Sequence, residues 1–193
     1  MLDTAALDLL FRAARTHRSW RPDPVPEATL RQVWDLTRLP PTSANSSPMR
    51  VVFVVTPEAK ARLEPCLDRG NVRQTMAAPV TAIVAHDELF YDLLPRLSPA
   101  TDARAWFADD AAGAAETALR NGSLQGAYLM LAARALGLDV GPMSGFDRAG
   151  VDRTFLAGTS WRANFLCNLG HGDGRRIGPR APRLGFDEAC RVV

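Results

Sequence analysis

Three short segments concentrate the polar chemistry of this sequence: Arg15-Thr16-His17-Arg18-Ser19-Trp20, the loop from Pro41 to Arg50, and Arg180-Ala181-Pro182-Arg183-Leu184. Each places arginine forks, hydroxyls or amides where no regular element is expected. A guanidinium matches phosphate oxygens two at a time and keeps its charge near neutral pH, while hydroxyls and carboxamides can donate to and accept from polar ring edges. Brought together by a fold, the segments would make a compact site for a phosphate monoester, with a flat polar ring held by the amide groups beyond it. On composition alone the bland reading, solvated surface arginines, stays open.

Other chemistries lack their residues. Gly170-His171-Gly172-Asp173-Gly174 follows an apolar run, but Arg175 stands where a dinucleotide fingerprint needs glycine, so the run reads as a turn. No phosphate loop of the G-x-x-x-x-G-K-S/T type occurs. His17, His86 and His171 are far apart in sequence, with neither an H-E-x-x-H nor a C-x-x-C pair to build a metal site. Met143-Ser144-Gly145 lacks the glycine of a hydrolase nucleophile elbow. Cys66, Cys167 and Cys190, odd in number and widely spaced, are expected to be buried small apolar residues in a reducing compartment.

The chain has 193 residues, 47% hydrophobic and 23% charged, with a net charge of +2. That profile predicts one α+β domain over residues 1–193, able to fold without disulfides or a structural metal. Lys60 is the only lysine, and the arginines are interspersed with carboxylates, which argues against nucleic acid as a partner. With neither a secretory start nor a membrane-length apolar run, a cytoplasmic protein without membrane contact is expected.

The elements that must position these segments follow from periodicity. Leu7, Leu10, Phe11 and Ala14 predict a helix over residues 4–14 with one buried face, and Leu30, Val33, Trp34 and Thr37 predict a second after Pro26, stopped by Pro40-Pro41. Residues 51–55 read as a strand covered on both faces, residues 80–85 and 164–169 as two more, and Thr56 as the cap of a helix reaching about Leu67. Residues 110–136 predict one long helix whose second half, with Gln125 and Arg134 as its only strongly polar members, needs protein on most sides. A second subunit would supply the missing side. Gly137 should end that helix, residues 141–147 form a tight loop, and Asp147 cap the next helix; the tail after Gly170 is too short to stand alone and should lie on a neighbour.

The order of these segments resembles the FMN-dependent nitroreductase family over nearly the whole chain. Residues 15–20 are similar to its R-S-x-R-x-F/W signature, and residues 41–49 to its P-S-x-x-N-S-Q-P-W loop, with Ser47 for glutamine and Met49 for tryptophan. Asn71-Val72-Arg73-Gln74 falls at its pyrimidine-contacting segment, where lysine is common at the last position. Residues 137–147 match its G-L-D-x-x-P-x-x-G-F-D loop, and Arg180 and Arg183 its C-terminal basic pair. The resemblance implies a central, mainly antiparallel sheet flanked by helices and an intertwined homodimer.

It also implies FMN as cofactor, NADPH or NADH as reductant, and ping-pong turnover of a small-molecule substrate at flavin N5, with no protein acid-base pair. Arg15, Thr16, Arg180 and Arg183 would hold the phosphate, and Arg18 would lie near the N1/O2 edge. Asn71 and Gln74 would meet the pyrimidine, and Pro142, Met143, Ser144 and Gly145 would lie against the ring, with glycine at 145 permitting close backbone approach. Pro41, Thr42, Ser43 and Asn45 would come from the partner subunit. Within the family, residues 41–45, 78–85, 141–147 and 182–184 are most similar to malonic semialdehyde reductases of uracil catabolism, which reduce 3-oxopropanoate to 3-hydroxypropanoate. A broad nitro and quinone reductase, a flavin-storing or flavin-degrading protein and a cofactor-free interaction protein are the alternatives. Arg73, Arg104 and Arg120 are candidate partners for a substrate carboxylate, and Trp106 and Phe107 either a lid or core.

Overall fold

A computed structural model describes residues 1–193. In chain order the elements are α1 Thr4–Leu7, α2 Glu27–Thr37, β1 Met49–Val54, α3 Pro57–Leu63, α4 Arg69–Ala77, β2 Val80–Asp87, α5 Leu94–Leu97, α6 Ala111–Ala135, β3 Asp139–Met143, α7 Arg148–Phe155, β4 Trp161–Gly170 and α8 Phe186–Ala189. The strands form one sheet in the order β1-β2-β4-β3, every neighbouring pair antiparallel. This α+β arrangement is the mainly antiparallel, helix-flanked sheet expected from sequence.

β2 explains why the sheet is the centre. All eight of its residues are buried, and alternate side chains serve opposite faces: Val80, Ala82 and Val84 join α2 and α6, while Ile83 and Ala85 join α3 and α7. One core gathers Leu30, Val33, Met49, Leu129, Ala133 and Leu169; the other gathers Leu63, Phe146, Val151, Leu156 and Leu166. A third, under the segment that sequence left unassigned, packs Phe90, Leu94 and Ala103 against Ala114 and Ala118 of α6. Thr56 caps α3 by accepting from Ala59 N at 3.2 Å, and Asp110 caps α6 through Gly113 N at 2.9 Å. Gly137 ends that region at φ 80°. No helix is long and apolar enough to cross a membrane.

Several expectations need correction. Residues 141–143 are strand, not loop: Asp139–Met143 pairs with β4, and Pro142 is tolerated because β3 lies at the sheet edge. β1 is the opposite edge, so Val51, Val52 and Phe53 are only half-buried and Val55 is 46% exposed. The helix after Thr56 tightens at Glu64, because Pro65 has no N–H to continue it. The first helix passes from α1 into a wider turn over Asp8–Arg12, and its apolar face is not buried, with Phe11 52% exposed.

Asp147 precedes α7 without capping it through its side chain. Cys190 is exposed, unlike Cys66 and Cys167. On α6, Gln125 is buried and accepts from Met49 N at 3.0 Å, whereas Leu124 and Tyr128 face outward within the single chain. The tail likewise projects, leaving Leu184, Phe186, Val192 and Val193 exposed.

Candidate active site

Residues 15–21 lie along the ends of β3 and β4. Thr16 bridges Val140, His17 N donates to Val140 O at 3.0 Å, and Arg21 N donates to His171 O at 2.8 Å. The glycines there are required by packing: a Cβ on Gly141 would stand 2.5 Å from His17 O, and one on Gly170 would stand 2.6 Å from Pro79 Cγ and 3.3 Å from the Trp20 ring. Trp20 Nε1 donates to Gln74 O at 3.0 Å, which ties the loop to α4. The buried His17 meets Asp139 at 3.2 Å, and the same carboxylate accepts from Gly172 N at 2.8 Å. His17 and Trp20 therefore hold the loop in place, a role that the motif reading missed.

That placement converges the arginines. Arg15, Thr16, Arg18, Pro142, Arg180 and Arg183 line one cavity of about 720 Å³, joined by His17, Ser19, Arg134 and Arg176. The one carboxylate of the lining, Asp173, is held below the usual carboxylate range by its hydrogen bonds from Arg175. Backbone carbonyls orient several of the cations. Arg180 donates to Phe11 O at 3.3 Å, Arg12 O at 2.7 Å and Ala14 O at 2.6 Å, Arg15 to Gly178 O, and Arg183 to Ala181 O and Pro182 O at 3.0 Å each. Of the lining arginines only Arg176 reaches the Asp173 carboxylate, at 3.9 Å; Arg15, Arg18, Arg134, Arg180 and Arg183 pair with none, and such a surplus of positive charge in a polar cavity suits a phosphate dianion.

A second group is tied to the arginine loop through the Trp20–Gln74 bond. Asn71 Nδ2 donates to Gly145 O at 2.8 Å, and Gln74 Nε2 donates to Asn71 Oδ1 at 2.6 Å. Asp68 N also donates to Gly145 O, at 3.1 Å, and Asp147 N donates to Cys66 O at 2.7 Å, so residues 144–147 are fixed on the start of α4. Gly145 is also closely packed within the chain: an added Cβ would stand 2.6 Å from Asn71 Nδ2 and 2.8 Å from Asp68 Oδ2, so those side chains would have to shift. The N–H groups of Ser144 and Gly145, just past Met143, donate to no group of the chain.

The loop of Pro41, Thr42, Ser43 and Asn45 stands apart from this cavity. It is nevertheless built rigidly. Ser43 N donates to Asn121 Oδ1 at 2.8 Å, Ser47 N to Thr42 Oγ1 at 3.0 Å and Asn45 Nδ2 to Leu97 O at 2.7 Å. Ala44, Asn45 and Ser47 sit at φ 52°, 52° and 40°, a left-handed conformation that non-glycine residues hold only where the surroundings enforce it. Of the carboxylate-binding candidates, Arg104 is engaged with Asp92 at 3.0 Å and Arg120 with Glu116, whereas Arg73 is exposed and unpaired. Phe107 packs on Phe90 at 5.0 Å and is core; Trp106 is 59% exposed. Cys167, its thiol pushed up to about 12 by burial, is no nucleophile.

Comparison with known proteins adds to this geometry. The profile described as the nitroreductase family matches residues 11–171. A Burkholderia lata protein with the provisional name NADH dehydrogenase/NAD(P)H nitroreductase is 59% identical over 191 residues, covering 99% of this chain and 98% of the relative. A Stenotrophomonas maltophilia protein with the same provisional name is 59% identical over 192 residues, covering 100% of this chain and 98% of the relative. Among solved structures, one from Exiguobacterium sibiricum, provisionally named a nitroreductase and described in complex with FMN, superimposes with a TM-score of 0.87 at 20% identity, over 100% of this chain and 99% of that one.

Proposed function

This chain belongs to the nitroreductase family, and from that premise we propose that it is an FMN-dependent NAD(P)H oxidoreductase whose arginine cavity holds the cofactor phosphate. The observation that carries the proposal is the convergence of Arg15, Arg18, Arg180 and Arg183, from the two ends of the chain, on one polar cavity whose lining holds a single carboxylate.

The residues present fit the cofactor. Arg15, Thr16, Arg180 and Arg183 would take the phosphate, Asn71 and Gln74 the pyrimidine edge, and the spare N–H groups of Ser144 and Gly145 would face N5. FMN, when bound, supplies two-electron chemistry at N5, accepting hydride from NADPH or NADH and delivering it to an acceptor. The chain's part is binding and electrostatics: Arg18 beside the N1/O2 edge would stabilise negative charge on the reduced ring. Pro142 and Met143, at the end of β3, would set the plane against which the ring rests.

The working unit in this reading is a homodimer. Leu124 and Tyr128, one turn apart, leave an apolar strip of α6 exposed, and the rigid loop of residues 41–45 lies away from its own chain's cavity. A partner would cover the first and receive the second, which couples assembly to cofactor binding. For the substrate we propose 3-oxopropanoate, reduced to 3-hydroxypropanoate, with Arg73 the unpaired cation for its carboxylate; support comes from the similarity of residues 41–45, 78–85, 141–147 and 182–184 to malonic semialdehyde reductases. The second reading, broad nitro and quinone reduction, is favoured by the names of the relatives. Turnover of 3-oxopropanoate, a quinone and a nitroarene at equal concentration decides between them. A dedicated aldehyde reductase should favour the first at least tenfold in kcat/KM, about 1.4 kcal/mol of transition-state discrimination; equal efficiency on all three assigns the broad reductase.

A further inference from the structure

We infer that Arg134, on α6, is a ligand of the cofactor phosphate, a role that rests on the FMN reading above. Arg134 lines the arginine cavity, yet the sequence signatures of that site do not include it. It is half-buried, and its one hydrogen bond within the chain is from Nη1 to Leu10 O at 3.1 Å. A guanidinium carries five N–H donors, so most of this one's capacity is unspent in a place where water is partly excluded.

Electrostatics say the same. Burial pushes the Arg134 pKa below the ordinary arginine value, and the charge of Arg180 acts in the same direction. Cys167 and then Asp139 oppose the shift, and the Asp139 carboxylate is already engaged by His17 and Gly172 N. A partly desolvated cation without a carboxylate partner is costly to keep, and a phosphate entering the cavity would relieve that cost.

Placement singles Arg134 out as well. Arg15, Arg18, Arg180 and Arg183 ride on irregular backbone, whereas Arg134 projects from a helix of 25 residues. Its backbone is fixed by a regular element, and a binding group on such an element is held more accurately than one on a loop. The competing role is a mere clamp between α6 and the first helix through Leu10 O.

The two roles separate by ligand. The apo-proteins of wild type, Arg134→Lys, Arg134→Met and Arg134→Glu are titrated with FMN and with riboflavin, which lacks the phosphate, and binding is read from flavin fluorescence. A phosphate ligand requires Arg134→Met to weaken FMN about 10- to 100-fold and leave riboflavin within about 3-fold, with lysine intermediate and glutamate worse than methionine. Equal weakening of both flavins, or FMN affinity unchanged in Arg134→Met, overturns the proposal. If the methionine protein does not fold, Arg134→Lys still carries the test, since loss of the planar fork must weaken FMN more than riboflavin. Wild type that fails to bind FMN would overturn the flavin reading itself, while wild type that binds FMN and a variant that binds it equally well removes only Arg134.

Discussion

Replacing Lys60 by methionine should flatten the dependence of stability on pH. The Lys60 ammonium is buried and donates to Thr75 O at 2.9 Å and Thr81 Oγ1 at 2.6 Å, and no carboxylate joins it. Burial pushes its pKa from 10.5 down to about 8. Below pH 8 the group is charged in the folded and unfolded chain alike, and folding bears the whole desolvation penalty, about 3 kcal/mol for a pKa gap of this size. Between pH 8 and 10.5 the unfolded chain binds the proton that the folded one has released, so the free energy of unfolding rises with pH. From pH 7 to 9 the gain is about 1.3 kcal/mol, or roughly 3–5 °C in Tm for a chain of this length.

Cys167, pushed up to about 12 by burial, opposes the trend above pH 9, but it is common to both proteins and cancels in the difference. Urea unfolding of wild type and Lys60→Met at pH 7, 8, 9 and 10 reads the effect directly. Wild type should gain stability relative to the variant across that range, whatever their difference at pH 7. Parallel profiles would refute the assignment of a desolvated ammonium. The site shares in this network, because Thr75 adjoins Gln74 on α4 and its hydroxyl donates to Met143 Sδ at 3.3 Å.

Further perturbations probe other parts of the account. Gly141→Ala drives a Cβ against His17 O and should cost about 1–3 kcal/mol, lowering Tm by several degrees and weakening FMN binding through the displaced arginine loop; calorimetry with an FMN titration checks both. Asn71→Ala removes the bonds to Gly145 O and from Gln74, costs about 1–2 kcal/mol, and should speed amide hydrogen exchange at residues 144–147. Tyr128→Glu places a charge on the exposed face of α6; if that face is the dimer contact, sedimentation should show monomers and FMN should be lost with them.

Much of the fold is legible in the sequence because burial writes itself into residue type. The β-branched run of β2 and the proline-free, alanine-rich α6 are unambiguous. β3 is not, since Gly141-Pro142 reads as a turn, and only its position at the sheet edge lets proline stand in a strand. α4 is hidden for the opposite reason: its sequence is polar and starts with Arg69-Gly70, and its placement comes from tertiary bonds through Asn71 and Thr75.

For the site, residue types name a phosphate-binding set, but convergence of residues 15–18 with residues 180–183 depends on threading along β3, which no local pattern encodes. Arg134 carried a readable signal all the same. It and Gln125 are the two strongly polar residues in an otherwise apolar stretch, and each proves to have a structural reason: Gln125 accepts from Met49 N, and Arg134 faces the cavity. Cys190 misled because a lone cysteine says nothing of where a projecting tail leaves it.

The account stands most directly on an anaerobic titration of the FMN-loaded protein with NADPH and with NADH, followed at the flavin absorbance band. It requires one flavin per chain, bleaching by one equivalent of at least one of the two nucleotides, and return of the colour when an aldehyde, quinone or nitroarene acceptor is added. A protein that takes up no FMN, or whose bound flavin stays oxidised with both nucleotides in excess, would contradict it.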